Sequence, residues 1–386
     1  MSTPLFAFTY VRYSVKNNSM YDIKFDELGP MKIVRLHSAK AGLDAAVVID
    51  NIALGPAIGG VRVSPAVGPL EIARLARTMT FKNSIAGLPH GGGKAGITAD
   101  PAAPGKEKLF RAFAKMIKTL NEFIPGPDMG SDEECMAWIY DETKRAIGRP
   151  ERQGGLPLDK LGATGFGLAE CAEVACPYAG INLDGARVAL HGFGNVGGAA
   201  ARSLLKRGAI IVAVVDRRGG VFDAGGLDLD KLFALRSQRG SVADYKTVYA
   251  KGVALEPEEV ISVECDILVP AATPDVINAA NQASIKAKMV LQGANIPVTG
   301  KAEELLARRG VLSVPDFIAN AGGVIMAAAE YAGETCRDAF RDIAVKIKKN
   351  TLAVLEKAKN ENKLPRAAAV ELARQRIAEA MEKSEF

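Results

Sequence analysis

The sequence predicts an α/β chain of two domains: an N-terminal α/β domain, then a doubly wound parallel sheet, with C-terminal helices returning to the first domain. Three observations carry this expectation. The 386 residues exceed what one hydrophobic core usually serves. Gly and Pro cluster in GRPERQGGLPLDKLGATG, between two helix-like runs, which places a hinge near residue 150. From Arg187 onward apolar strands alternate with Gly-rich turns and helical stretches, as a sheet with crossover helices requires.

Taken in order, residues 31–64 contain strand-like runs, MKIVRL and AAVVI, broken by Gly-Pro and Gly-Gly, which suits part of a mixed or parallel sheet within a first domain of residues 1–150. A helix is expected from Lys106, because Leu109, Phe113, Met116, Ile117 and Leu120 recur at the spacing of one apolar face. Helical character is expected to end near Ile147 and to resume after Thr164. Residues 151–334 hold the second domain, with further strands in DILVPAA, MVLQGAN and GVLSVPDF. Beyond residue 330 the texture is wholly helical: Phe340, Ile343, Ile347, Val354 and Leu355 share a stripe, and Pro365 is placed to open a last helix. Residues 335–386 are expected to pack back on the first domain.

Composition narrows the function classes. The chain is 48% hydrophobic and 24% charged, an ordinary globular balance, and its 49 basic residues against 44 acidic ones are spread out, so no nucleic-acid partner is expected. Five cysteines, with neither a CxxC pair nor His at ligand spacing, read as reduced thiols and not as a metal site. The N-terminus has no basic start followed by an apolar stretch, and nothing later approaches eighteen consecutive apolar residues. No membrane association and a cytoplasmic location are expected.

The segment ARVALHGFGNVGGAAARSLLKRGAIIVAVVD sets GxGxxG, as Gly192, Gly194 and Gly197, between a strand-like run and an Ala-rich helix. In that context Gly192 permits a tight turn, Gly194 lets backbone approach a pyrophosphate, and Gly197 lets helix and strand pack closely. The phosphates then meet the helix N-terminus, where free N–H groups and the helix dipole favour negative charge. Asp216, 19 residues beyond Gly197, ends the next strand, where an acid accepts hydrogen bonds from ribose hydroxyls. A Rossmann-type dinucleotide domain follows. Asp216 argues for NAD; Arg217 and Arg218 beside it keep NADP open, since either can pair with a 2′-phosphate.

The segment ARTMTFKNSIAGLPHGGGKAGITADP carries Lys82 and Lys94 on either side of a Gly-rich turn in an otherwise apolar setting. A lysine desolvated near another cation has a lowered pKa, which suits acid–base work near neutrality.

The blocks GPAIGGVR, MTFKNSIAGLPHGGGKAGI, PGPDMGSDEECMAW, ATGFG, GFGNVG, QGAN and NAGGV resemble, in order, motifs of the glutamate/leucine/phenylalanine/valine dehydrogenase family, from about residue 30 to the C-terminus. The resemblance implies reversible, NAD(P)-linked oxidative deamination of an L-amino acid to a 2-oxo acid and ammonia, in a homo-oligomer. It makes Lys94 the catalytic lysine, Lys82 the ligand of the substrate carboxylate, and Asp128 the acid–base group serving the amino group. It sets Gly59 and Gly60 beside the carboxylate, with Asn320 lining the same cleft. Thr164 and Asn295 fall at the nicotinamide end, and Asn195, with Val196 beside it, at the phosphate turn.

The same resemblance points to the side-chain pocket. Ile58 stands where glutamate-specific members carry Lys, Met79 where some carry Gln, and Ala327 where they carry Ser. A glutamate carboxylate there is left desolvated and unpaired. Gly126 and Ala327 are small, so a pocket formed with Ile58, Met79 and Val324 is expected to admit leucine-, valine- or phenylalanine-like side chains. Glutamate is the alternative, because ATGFG, DRRGGVFDAGGLD and the long helical C-terminus look closer to the glutamate branch. Two further alternatives are an oxidoreductase of hydroxy acids or alicyclic alcohols, and a non-catalytic NAD-binding regulatory subunit.

Overall fold

The computed structural model describes residues 23–238 and 240–383. The reading of the N-terminus as leaderless falls outside the described residues.

The first domain is a five-stranded mixed sheet in the order β1-β2-β4-β3-β5, formed by β1 (Lys32–Ser38), β2 (Leu43–Asn51), β3 (Ala57–Val63), β4 (Gly91–Ile97) and β5 (Phe123–Pro127). β1 and β2 are the predicted runs. They pair antiparallel, as do β2 and β4, whereas β3 runs parallel to both β4 and β5. Helix α1 (Pro69–Ile85) starts at a proline, consistent with that residue's fixed φ and missing N–H, and lies against β4. α2 (Lys106–Met116) and α3 (Glu133–Thr143) pack on each other.

Two expectations are corrected here. Met116 does not share the buried face of α2: it is 38% exposed, and the face is Phe110, Phe113, Ala114 and Ile117, spaced three, four and seven apart. GGGKAGI is not a turn but the central strand β4, with all seven residues buried. Its glycines are there for packing. A Cβ on Gly92 would lie 2.1 Å from the Thr80 nitrogen of α1, and one on Gly91 would lie 1.8 Å from the Asn51 carbonyl. Only bare backbone lets α1 come this close, and that approach brings Lys82 over the sheet.

Residues 144–157 cross to the second domain, and a single carboxylate holds them. Glu330, with its side chain fully buried, accepts hydrogen bonds from the Gly148 and Leu156 N–H groups at 2.9 and 3.0 Å and from Arg149 Nε at 2.9 Å. Such donors are what a buried charge requires. α4 (Leu158–Leu161) and α5 (Ala163–Ala175) follow.

The second sheet has the order β12-β11-β10-β6-β7-β8-β9. Its elements are β6 (Arg187–His191), α6 (Asn195–Leu205), β7 (Ile210–Asp216), β8 (Gly219–Phe222), α7 (Leu229–Ser237), α8 (Tyr245–Tyr249), β9 (Val253–Leu255), β10 (Ile267–Pro270), β11 (Met289–Leu291), α9 (Gly300–Arg308) and β12 (Leu312–Val314). β6, β7, β10, β11 and β12 are parallel, as expected of a doubly wound sheet. β8 and β9 add an antiparallel edge, because Arg217 and Arg218 turn the chain straight back into GGVF. The strand order reverses between β6 and β10, the place where an open α/β sheet binds its ligand.

α10 (Asp316–Ala319) and α11 (Gly322–Ala332) lead into α12 (Cys336–Asn360) and α13 (Pro365–Met381). The expected stripe is buried at Ile343, Ile347, Val354 and Leu355, with Phe340 half-buried at its edge, and Pro365 opens α13. α13 returns to α1: Ser84 Oγ donates to the Ala373 carbonyl at 2.9 Å, and Arg376 Nη1 donates to the Ile85 carbonyl at 2.8 Å.

Candidate active site

The polar end of the cleft between the domains is built by β3, β4 and β5, side by side. Lys94 from β4 and Asp128, one residue beyond β5, form an ion pair with Nζ 2.5 Å from Oδ2, and both are largely buried. Gly60 of β3 lies between them. A Cβ there would fall 2.7 Å from Asp128 Cβ and 3.1 Å from Lys94 Nζ, so any side chain at this position would force the pair apart. Gly59 is constrained differently: its Cβ would sit 1.7 Å from the Gly93 carbonyl oxygen, within the sheet. Burial pushes the Asp128 carboxyl up; Lys94, by charge and hydrogen bond, then Arg62 and the Met129 N–H, turn the net shift downward.

Lys82, in the last turn of α1, donates to Asn320 Oδ1 at 2.7 Å. Asn320 Nδ2 donates in turn to the Ala294 carbonyl at 3.1 Å and to Asn295 Oδ1 at 3.0 Å. Burial lowers the Lys82 ammonium to about 8; Asp316 opposes the shift and Lys94 adds to it.

Ile58, Gly59, Gly60, Met79, Lys82, Lys94, Gly126 and Asp128 from the first domain face Thr164, Val196, Asn295, Asn320, Val324 and Ala327 from the second across one cleft of about 400 Å³. Much of the remaining lining is apolar. Ile147 and Leu158, from the crossing segment and α4, join Ile58, Met79, Val324 and Ala327 there. Gly126 gives Ile147 its room, since a Cβ at 126 would fall 2.9 Å from Ile147 Cδ1. The glycines of NAGGV bring α11 onto α5: a Cβ on Gly322 would lie 2.2 Å from the Ala163 carbonyl, and one on Gly323 3.0 Å from Thr164 Oγ1. A larger cavity, about 500 Å³, opens between α9 and the α12–α13 turn, but it has no lysine–carboxylate pair of this kind.

The glycine turn adjoins the cleft at Val196, the second residue of α6. Gly192 has φ +105°, a conformation side chains disfavour, and its Cβ would meet Ala272 at 2.8 Å. A Cβ on Gly197 would fall 1.9 Å from the Gly192 carbonyl, so glycine is what lets helix and strand meet. By contrast Gly194 faces open space, and α6 starts there without a side-chain cap. Open space beside uncapped N–H groups fits a pyrophosphate. Asp216 is already engaged: Ser241 Oγ donates to it at 2.7 Å and the Val242 N–H at 2.9 Å. Arg217 is exposed, and Arg218 pairs with Asp244 at 3.2 Å. Asn195 Oδ1 accepts from Arg236 Nη2 at 2.7 Å.

Several of these residues escape sequence reasoning. Arg62 and Arg236 look like ordinary surface cations, and Ser241 like a turn residue. Ile147 lies past the end of α3, where no periodicity remains to mark it. Only for Arg62 was there a signal, its place in GPAIGGVR. His90, given no role from sequence, is buried with Nδ1 3.1 Å from the Pro56 carbonyl and its ring edge-on to Tyr331.

Among the described residues, no group of three or more His, Cys, Asp or Glu is arranged to hold a metal, and no helix is long and apolar enough to cross a membrane. The four cysteines Cys135, Cys171, Cys176 and Cys265 are pushed up to about 12 by burial, as inert thiols are.

Comparison with known proteins agrees with this architecture. Residues 31–145 match the Glu/Leu/Phe/Val dehydrogenase dimerisation domain, and residues 154–384 match the Glutamate/Leucine/Phenylalanine/Valine dehydrogenase family. The chain is 37% identical to a glutamate dehydrogenase of Aeropyrum pernix over 86% of its own length and 84% of the relative's. It is 39% identical to an NADP-specific glutamate dehydrogenase of Saccharolobus shibatae over 73% of its length and 69% of the relative's. Among solved structures, the leucine-bound hetero-hexameric glutamate dehydrogenase of Thermus thermophilus superposes with a TM-score of 0.79 at 28% identity, covering 92% of this chain and 91% of that one. The L-tryptophan dehydrogenase of Nostoc punctiforme gives 0.72 at 28% identity, covering 92% and 98%. With both family regions matched end to end over a two-domain cleft of this kind, the chain belongs to the glutamate/leucine/phenylalanine/valine dehydrogenase family and is an NAD(P)-dependent amino acid dehydrogenase.

Proposed function

We propose that this enzyme oxidatively deaminates an L-amino acid with an apolar side chain, leucine-, valine- or phenylalanine-like, to its 2-oxo acid and ammonia, reversibly. The observation that carries this reading is the side-chain end of the cleft, where Ile58, Met79, Ile147, Leu158, Val324 and Ala327 are all apolar. A glutamate entering it would bury a carboxylate with no cation to meet it among these residues, a cost of several kcal/mol.

The proposed roles are those the family resemblance implies, and the placement of these side chains around one cleft supports them. Lys82 pairs with the substrate carboxylate and, with Asn320 and the backbone at Gly59 and Gly60, fixes where Cα points. A bound pyridine nucleotide would supply the hydride acceptor for Cα. Lys94, once it gives up its proton, deprotonates the water that attacks the resulting imine carbon, and Asp128 carries the proton exchanged with ammonia. Gly192, Gly194, Asn195, Val196 and Gly197 would hold the pyrophosphate, Asp216 a ribose, and Thr164 and Asn295 the nicotinamide end. NAD is the preferred nucleotide in this reading, with NADP open through the exposed Arg217.

The work divides near residue 150: residues 1–150, joined by 335–386, bind substrate and assemble a homo-oligomer, while 151–334 bind the nucleotide. The enzyme is assigned to the cytoplasm.

Glutamate is the second reading, favoured by relatives at 37–39% identity that carry that name. Against it stand the apolar residues at positions 58, 79 and 327. Measuring kcat/KM for leucine, valine, phenylalanine, tryptophan and glutamate, each with NAD and NADP, separates the two. At least a tenfold preference for an apolar amino acid supports the proposal, and a preference for glutamate overturns it.

A further inference from the structure

Arg62 stands on β3, two residues past Gly60, with its side chain 20% exposed. Its guanidinium reaches two carboxylates. Nη1 donates to Glu71 Oε1 of α1 at 2.7 Å. On the other side it faces Asp128 at two points, Nε 3.4 Å from Oδ2 and Nη2 3.5 Å from Oδ1. These contacts are longer than the 2.7–2.9 Å of charge-assisted hydrogen bonds. Arg62 Nε and Asp128 Oδ2 face each other without an aligned hydrogen bond, and the one bond between the two residues, Nη2 to Oδ1, is long, so the attraction between them is mainly one of charge. The charged groups around Asp128 are therefore Lys94 from β4 at 2.5 Å, Arg62 from β3 with Glu71 behind it, and Lys82 of α1 in the lining of the same cleft.

The proposed chemistry makes a demand that this arrangement meets. Lys94 must give up its proton to act as a base, and at that moment Asp128 loses its nearest counter-charge. A buried carboxylate left without a counter-charge takes up a proton, and Asp128 would then be lost to the reaction as an ionised group. A guanidinium stays charged throughout the working pH range. We propose that Arg62 is a positioning residue that acts as the permanent counter-charge of Asp128, keeping it ionised while Lys94 changes state, and that Glu71 tempers that charge. This rests on the reading of Asp128 as the acid–base group.

The test is the acid limb of the pH profile of kcat/KM for three variants of the full-length enzyme, each checked for its fold by circular dichroism. Arg62→Gln is expected to move the limb upward by about one pH unit, with kcat near neutrality falling more than KM changes. Arg62→Lys, which keeps the charge, is expected to restore most of the wild-type profile. Glu71→Gln acts at a side chain 42% exposed, where the fold tolerates change, and is expected to move the limb the opposite way, because Arg62 then serves Asp128 alone. If Glu71→Gln leaves the limb in place or raises it, or if a folded Arg62→Gln keeps the wild-type limb, the proposal is overturned. Asp128→Asn distinguishes the underlying reading: should it keep wild-type turnover, the role of Asp128 fails and that of Arg62 with it. Should it abolish turnover while Arg62→Gln has no effect on the limb, only the role of Arg62 fails.

Discussion

Lys82 and Asn320 meet across the two domains at 2.7 Å, the ammonium of one domain donating to the amide oxygen of the other. The amide is oriented by what lies behind it, since its nitrogen is spent on the Ala294 carbonyl and Asn295 Oδ1. A half-buried cation of the first domain is thus aimed by a residue of the second. Asn320→Ala is expected to lower kcat/KM by roughly 10- to 100-fold, the cost of leaving one buried polar partner unmet. Steady-state kinetics check this, with circular dichroism as the control for a native fold.

Burial brings Lys82 to about 8, below the 10.5 of a free lysine. Above pH 8 the free enzyme loses the charge that pairs with the substrate carboxylate, so affinity for a 2-oxo acid, whose carboxylate does not titrate there, is expected to fall roughly tenfold per unit. Measuring KM or Ki from pH 6.5 to 9.5 tests it. A flat profile would remove Lys82 from carboxylate binding.

The same shift has a sign for stability. Its folded value lies below its unfolded one, so the protonated side chain costs stability at pH values below about 8, and that cost disappears as pH rises toward 10.5. Lys82→Met is therefore expected to abolish activity yet stabilise the fold at pH 7 by about 1 kcal/mol, after loss of the Asn320 bond and partial solvent access are allowed for. The gain should vanish near pH 10. Urea unfolding at the two pH values measures it.

The site was legible in the sequence wherever chemistry and context coincide. GFGNVG between a strand and a helix, and two lysines among apolar residues, led to groups that line or adjoin one cleft. What stayed hidden depended on packing between distant segments. GGGKAGI reads as a turn because glycine marks turns, yet here the glycines allow α1 to rest on a central strand. Met116 matched an apolar spacing, but Phe110 sets the true face of α2. Ile147 acts through neighbours that are remote in sequence, so no local pattern marks it, and Arg62 is marked only by its place in GPAIGGVR.

The pocket floor gives a steric prediction. A Cβ on Gly126 would fall 2.9 Å from Ile147 Cδ1, which forces that side chain to shift within the cleft. Gly126→Ala is expected to lower kcat/KM for phenylalanine relative to valine by about tenfold, the scale of one methylene in an apolar pocket. Ile147→Ala should act in reverse. Competition assays with the two amino acids read the ratio.

Charge selects the substrate class in this account. The pair Ile58→Lys and Ala327→Ser places a cation and a hydroxyl in the apolar end, where Ile58 is now 2% exposed. The double variant is expected to gain glutamate turnover and lose at least tenfold on leucine, through the desolvation of an unmatched ammonium. An unchanged preference would show that selection lies elsewhere.

The most direct measurement runs the reaction backwards: NADH or NADPH oxidation with 4-methyl-2-oxopentanoate, phenylpyruvate or 2-oxoglutarate, with and without ammonium, for the wild type and Lys94→Ala. The expected result is turnover that requires ammonium, favours the apolar oxo acids at least tenfold, and falls by roughly 10²–10⁴ without the lysine. Turnover independent of ammonium, a preference for 2-oxoglutarate, or a fully active Lys94→Ala enzyme would contradict it.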